Sequence, residues 1–94
     1  MMAKILIVDD EPGMVILLEQ ALEDLTYKGI ELLSANNGEQ AIEIIKVEMP
    51  ELVLLDVMMP GISGLEVCNT VKNVLGMNNI YILMLTANGQ GFDM

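Results

Sequence analysis

Short runs of uninterrupted apolar residues alternate here with stretches whose apolar residues recur at spacings of three and four, and this alternation constrains the chain more than any other feature. The runs are Ile5 to Val8, Leu52 to Leu55 and Ile80 to Leu85, with a more interrupted one from Ile30 to Ala35. Strands without polar interruption are buried on both faces, and the helical stretches between them supply the cover. The pattern therefore specifies an α/β fold, a doubly wound parallel sheet with helices on both sides. A first helix is expected from Pro12, a residue suited to the first helical position. Met14, Leu17, Leu18, Ala21, Leu22 and Leu25 form its apolar stripe. Ile30 to Ala35, broken by Glu31 and Ser34, reads as an edge strand.

Asn37 with Gln40 resembles a capping box opening a helix through Ala41, Ile42, Ile44 and Ile45, which stops before Pro50. Ser63 with Glu66 is a second capping box. Its helix carries Leu65, Cys68, Val71 and Leu75 on one face and runs to Gly76. The segment between, Val57-Met58-Met59-Pro60-Gly61-Ile62, is rich in turn residues. The strand from Ile80 reads as apolar on both faces with no later strand to pair its outer edge, so the expectation is either a fragment of a longer polypeptide or self-association through residues 80–85.

The chain's 94 residues allow one domain. With one Cys and no His there is no disulfide framework, no Cys/His zinc site and no nucleophile paired with His. Fourteen acids against four lysines give a formal charge of -10, which opposes direct binding to nucleic acid or anionic lipid. Mean hydropathy is high at +0.52, yet no apolar run approaches the ~18 residues that cross a bilayer. The N-terminal apolar stretch is too short for a secretory signal. A cytoplasmic location with Cys68 reduced is the expectation.

Right-handed crossovers make every strand point the same way, so residues that follow strands gather along one rim. That rim holds Asp9, Asp10, Asp56 and Thr86. Lys4, Lys28, Lys46 and Lys72 fall on the opposite rim, the last three near helix ends where a cation complements the helix dipole. Three clustered carboxylates repel, each close pair by roughly 4 kcal/mol at about 4 Å and an effective dielectric near 20. A hard divalent cation offsets that, and Mg²⁺ favours a few carboxylates together with water and phosphate oxygens. Nearby helix N-termini offer N–H groups to an anion. A site of this kind suits phosphoryl chemistry in which a carboxylate attacks phosphorus and forms an acyl phosphate.

Asp9-Asp10-Glu11-Pro12 after the first strand, Asp56-x-x-Met59-Pro60-x-x-x-Gly64 after the third, and Thr86-Ala87 after the fourth resemble the receiver domain of two-component response regulators. The resemblance spans essentially the whole chain. It implies a flavodoxin-like sheet in the order 2-1-3-4, and a phosphoryl group taken by Asp56 from a histidine kinase or phosphotransfer protein. It implies Mg²⁺ held by Asp9, Asp10, Asp56 and the Met58 backbone carbonyl. The Thr86 hydroxyl and the Ala87 amide would contact the phosphoryl group. The chain would not be an enzyme beyond taking its own phosphoryl group and slowly losing it. Receiver domains resembling this one have five strand-helix units, so residues 1–94 read as a receiver truncated after the fourth strand. The family's fifth strand, its last helices, its lysine and its switch aromatic are absent. Lys4 cannot replace that lysine, since it starts the first strand about 17 Å from Asp9 at roughly 3.3 Å per residue. Phosphorylation without full switching is expected.

Plainer explanations apply to each residue alone. Adjacent acids are commonly solvated or sit at helix starts, Thr86 is a β-branched strand end, and Met58 and Met59 are apolar fillers. Cys68 is a core residue, Glu11 is the residue before a helix, and the lysines are solubilising. Two other functions compete: a receiver-like protein-binding module that is not phosphorylated, and a nucleotide or flavin binder. The second is weak, because Asp-Asp-Glu-Pro stands where a Gly-rich phosphate loop would follow the first strand.

Overall fold

The computed structural model describes residues 3–85 and 91–93. The elements in order are β1 (Lys4–Val8), α1 (Pro12–Ala21), α2 (Glu23–Thr26), β2 (Glu31–Ala35), α3 (Gly38–Glu48), β3 (Leu52–Asp56) and α4 (Gly64–Asn69). A π-helical turn (Thr70–Val74), β4 (Tyr81–Leu85) and β5 (Gly91–Asp93) complete the set. The sheet runs β2-β1-β3-β4-β5. Its first four strands are mutually parallel, as the buried runs require. Val8 stands opposite both Ala35 and Leu55, and Asp56 opposite Leu85, so strand ends align along one rim.

The period-two alternation of β1 sends Leu6 and Val8 to one core and Ile5 and Ile7 to the other. On the first face, Val53, Leu55, Ile82 and Met84 pack with Ala41 and Ile45 of α3, with Val67 and Cys68 of α4, and with Val71. On the second, Leu54 and the β1 pair meet Val15, Leu18, Leu22 and Leu25. The first helix therefore presents a different stripe from the expected one. Val15, Leu18, Leu22 and Leu25 follow the three-and-four spacing and face inward, whereas Leu17 is 63% exposed and Met14 is also exposed. The helix also breaks at Leu22, whose φ of -101° and ψ of 7° separate α1 from α2.

The capped helix shows a similar shift. Leu65 is 57% exposed while Val67 takes its place in the core beside Cys68 and Val71. The helical register changes at the π turn, where the Leu75 N–H reaches the Thr70 carbonyl, so Leu75 does not continue that face. Ser63 and Glu66 form the full reciprocal box, each backbone N–H held by the other's side chain at 3.2 Å. At α3 the reciprocity is offset by one residue. Asn37 Oδ1 accepts the Gln40 N–H at 2.7 Å, but Gln40 Oε1 accepts from Asn36 at 2.9 Å.

The edge expected to be open is partly closed. Leu83, Met84 and Leu85 pair with Asp93, Phe92 and Gly91, an antiparallel arrangement that needs no crossover. Self-association along the whole of residues 80–85 would have to displace β5. Tyr81 is also 47% exposed, so the start of β4 is not buried on both faces. At the rim where β1 begins, Lys4 pairs with Glu48 at 2.7 Å and Lys72 donates to the Ile80 carbonyl. Among the described residues no helix is long and apolar enough to cross a membrane.

Two measurements check this packing. Ser63→Ala should lower unfolding free energy by about 1 kcal/mol in urea denaturation, and an unchanged midpoint would contradict the role given to the box. Cys68 is almost fully buried, and burial pushes its thiol up, with Lys72 opposing. Alkylation of native protein should run at least about tenfold slower than in denaturant.

Candidate functional site

The two strands that deliver the acids are nearest neighbours in the sheet, which is why residues 47 positions apart in the chain meet. Asp9 and Asp10 leave β1, and Asp56 ends β3. One carboxylate oxygen from each of the three lies within 4.8 Å of the others. The sequence expectation of a single acidic cluster at the rim is met for these three residues. Thr86 and Ala87, also assigned to it, lie outside the described residues.

Each anchored acid is held by the backbone that follows it. The Asp9 N–H donates to the Ala35 carbonyl at 3.1 Å, extending the β1–β2 ladder by one residue. Asp9 Oδ1 then accepts the Glu11 N–H at 2.9 Å and fixes the turn into α1. Asp9 is 9% exposed, the one buried charged residue among those described. Asp56 is half-buried, and its Oδ1 accepts the Met58 N–H at 3.1 Å. Burial raises the Asp56 carboxyl above the usual carboxylate range; the Met58 N–H opposes this, and the charges of Asp9, Asp10 and Glu11 add to it.

Two details were not read from the sequence: what Gly64, a member of the motif after β3, does there, and how the two methionines differ. The first is Gly64. A Cβ there would stand 2.5 Å from the Asp56 carbonyl oxygen and 2.9 Å from the Val57 Cα, so the first turn of α4 lies directly on the backbone at the end of β3. The Gly64 N–H donates to the Val57 carbonyl at 3.2 Å across this contact. A glycine at the first position of a well-capped helix, where alanine is the better helix former, was the available signal. The second concerns the two methionines. Met59 is 9% exposed and belongs to the core, as a filler should, but Met58 is 70% exposed. The filler reading holds for Met59 alone.

The described lysines do not neutralise the cluster. Lys4 and Lys46 pair with Glu48 and Glu43, and Lys72 donates to Ile80. α1 starts at Pro12 with no side-chain cap, so its N-terminus faces the rim with positive dipole character. Three hard oxygen donors within reach of one ion, without nitrogen or sulfur ligands, fit a hard divalent cation such as Mg²⁺.

The uncompensated repulsion has a measurable consequence. In chelator-treated solution, Asp56→Asn should raise unfolding free energy by an amount on the order of 1 kcal/mol, because it removes one of three neighbouring charges. Added Mg²⁺ should stabilise the wild-type chain more than the variant in thermal denaturation. A variant less stable than wild type without metal would show that the acids do not oppose one another.

Comparison with known proteins agrees with this geometry. The family of response regulator receiver domains matches residues 5–94. The chain is 42% identical over 90 residues to the alkaline phosphatase synthesis transcriptional regulatory protein PhoP of Bacillus subtilis, covering 96% of this chain and 35% of that protein. It thus spans about a third of that regulator's length. It is 40% identical over 87 residues to sporulation initiation phosphotransferase F of the same organism, covering 93% of this chain and 66% of that one. Among solved structures, response regulator protein TrrA of Thermotoga maritima, in complex with Mg²⁺-BeF, superposes with a TM-score of 0.76 at 42% identity. The match covers 92% of this chain and 70% of that one. Parallel strands in the order 2-1-3-4, acids gathered at their tips and a family match over nearly every residue lead to one assignment: the chain belongs to the response regulator receiver domains of two-component signalling.

Proposed function

We propose that Asp56 is the phosphoacceptor of this receiver domain and takes its phosphoryl group from a phosphohistidine on a histidine kinase or phosphotransfer protein. The observation that carries this reading is the meeting of Asp9, Asp10 and Asp56 within 4.8 Å at the tips of β1 and β3. An Asp56 carboxylate oxygen attacks phosphorus and the O–P bond forms. The N–P bond to the donor imidazole breaks with its electron pair going to nitrogen, and a proton carried on the ring's other nitrogen lets the donor depart as neutral imidazole. The chain has no His of its own, so the donor is a separate protein or domain.

The Met58 N–H on Oδ1 orients the Asp56 carboxylate and leaves the other oxygen for attack. The half-buried setting strips water from the nucleophile. Asp9, Asp10, Asp56 and the Met58 carbonyl would hold Mg²⁺, which when bound neutralises charge on the phosphoryl oxygens and permits an anion to approach three acids. TrrA, 42% identical, was solved with Mg²⁺-BeF, a pairing of hard cation and anionic group that an acidic site of this make-up suits. The Thr86 hydroxyl and Ala87 amide are assigned to the phosphoryl oxygens on their place in the motif. A cytoplasmic setting goes with a donor of this kind.

A second reading, a binding module whose Asp56 stays unmodified, draws on one observation: no lysine reaches the acids, and Lys4, Lys46 and Lys72 are engaged elsewhere. One experiment separates the two. Incubation with Mg²⁺ and acetyl phosphate should add the mass of one phosphoryl group, lost in Asp56→Asn and with chelator. No gain in a folded sample would favour the binding module.

A further inference from the structure

We propose that Gly38, the first residue of α3, is a positioning residue for phosphoryl transfer to Asp56, acting through Ile62 on the segment that follows the acceptor. The inference rests on the reading of Asp56 as phosphoacceptor and adds a residue from an element that contributes no acid to the site.

A Cβ at position 38 would stand 2.9 Å from the Ile62 carbonyl oxygen, 3.0 Å from the Ile62 Cβ and 3.0 Å from Val67 Cγ2, where ordinary contact begins near 3.4 Å. Gly38 is buried, and two of these neighbours have little freedom to give way. The Ile62 oxygen is backbone, and Val67 is fully enclosed in the core. A single added methyl group therefore pushes the 57–63 segment outward. The far end of that segment carries the Met58 N–H that holds Asp56 Oδ1, so displacement at Ile62 is displacement at the nucleophile's own tether.

The other side of the contact is equally fixed. Asn37 caps α3 through the Gln40 N–H, and Gln40 reaches back to the Asn36 N–H. Asn36 follows Ala35, whose carbonyl accepts the Asp9 N–H at 3.1 Å. A continuous path of hydrogen bonds and close approaches thus runs from Asp9 at the tip of β1, through the end of β2 and the side-chain cap of α3, across Gly38 to Ile62, and back along the segment to Asp56. Gly38 is the point where this path passes between elements without a side chain, and it sets how closely the post-β3 segment is drawn toward the Asp9 side. Gly64 secures the same segment at its other boundary, against the Asp56 backbone. Alanine would be the better helix former at position 38; the contact supplies the reason for glycine.

The test follows the rate of phosphoryl gain by mass spectrometry with acetyl phosphate at saturating Mg²⁺, in wild type, Gly38→Ala, Ile62→Gly and the double variant. Misplacement of reacting groups by a fraction of an ångström is costly, and Gly38→Ala should slow transfer about tenfold. Ile62→Gly alone should slow it about threefold, because the segment loses its hold. Together the changes remove one crowded atom and free the backbone to yield. The double variant should then be faster than Gly38→Ala even though its melting temperature is lower. A merely structural role predicts the reverse, a rate that falls with each loss of stability. If Gly38→Ala does not fold, Ile62→Gly decides: a wild-type rate there overturns the proposal. A wild-type rate in folded Gly38→Ala, or a double variant slower than Gly38→Ala, also overturns it. Failure of the wild-type chain itself to gain a phosphoryl group would instead overturn the assignment of Asp56.

Discussion

Three carboxylates held within one ion's reach are the constraint around which this fold is arranged. At such distances neighbouring carboxylates repel one another and oppose folding, and the described structure offers no lysine to relieve it. The surroundings must hold the acids together against that repulsion. β1 and β3 are adjacent and in parallel register, with Ile5 through Val8 beside Leu52 through Leu55. Their side chains fill both cores, so neither strand can slide without pulling apolar residues into water. The hydrophobic interior and the electrostatic site are two ends of the same strands.

The turns that follow the strands complete the restraint. Asp9 and Asp56 each accept an N–H from two residues further along, a local bond that orients a carboxylate and starts the next segment. Behind Asp56 the backbone is pressed by α4 at Gly64, and α4 is fixed by the reciprocal Ser63–Glu66 box and by Val67 and Cys68 in the core. The raised carboxyl of Asp56, caused first by burial, is the result of enclosing that side chain closely enough to position it. A solvated aspartate would be easier to ionise and harder to aim.

Much of this was legible in the sequence because it depends on patterns that topology cannot scramble. Runs that are apolar throughout specify parallel strands; parallel strands put Asp9, Asp10 and Asp56 on one rim; and the interrupted run at Glu31 and Ser34 belongs at an edge, where β2 lies. What failed depends on which flank of a broad apolar helix is covered. Met14 and Leu17 are as apolar as Val15 and Leu18, but α1 meets the sheet along the latter, and spacing alone permits either stripe. Leu65 and Val67 were interchanged for the same reason, compounded by the π turn that resets the helical phase before Leu75. The pairing of β5 with β4 was hidden because Gly91–Asp93 carries no strand pattern of its own.

The close backbone approaches lay beyond composition and periodicity altogether. Gly38 and Gly64 each stand at the first position of a helix, where alanine is the better helix former, and the three-dimensional contacts distinguish them from a glycine with open space around it such as Gly13. Both close approaches bear on one short segment, residues 57–63, from opposite boundaries. Met59 anchors that segment in the core while Met58 projects into solvent, so neighbouring residues divide the work of fixing the backbone and bordering the site. Val57 and Ile62 pack beside Met59 against the same core, and the close approaches of Gly38 and Gly64 set the rest of the segment's shape. For Asp56 this makes placement a property of two helix starts as much as of its own strand, since the tether at Met58 holds only as well as the backbone that carries it.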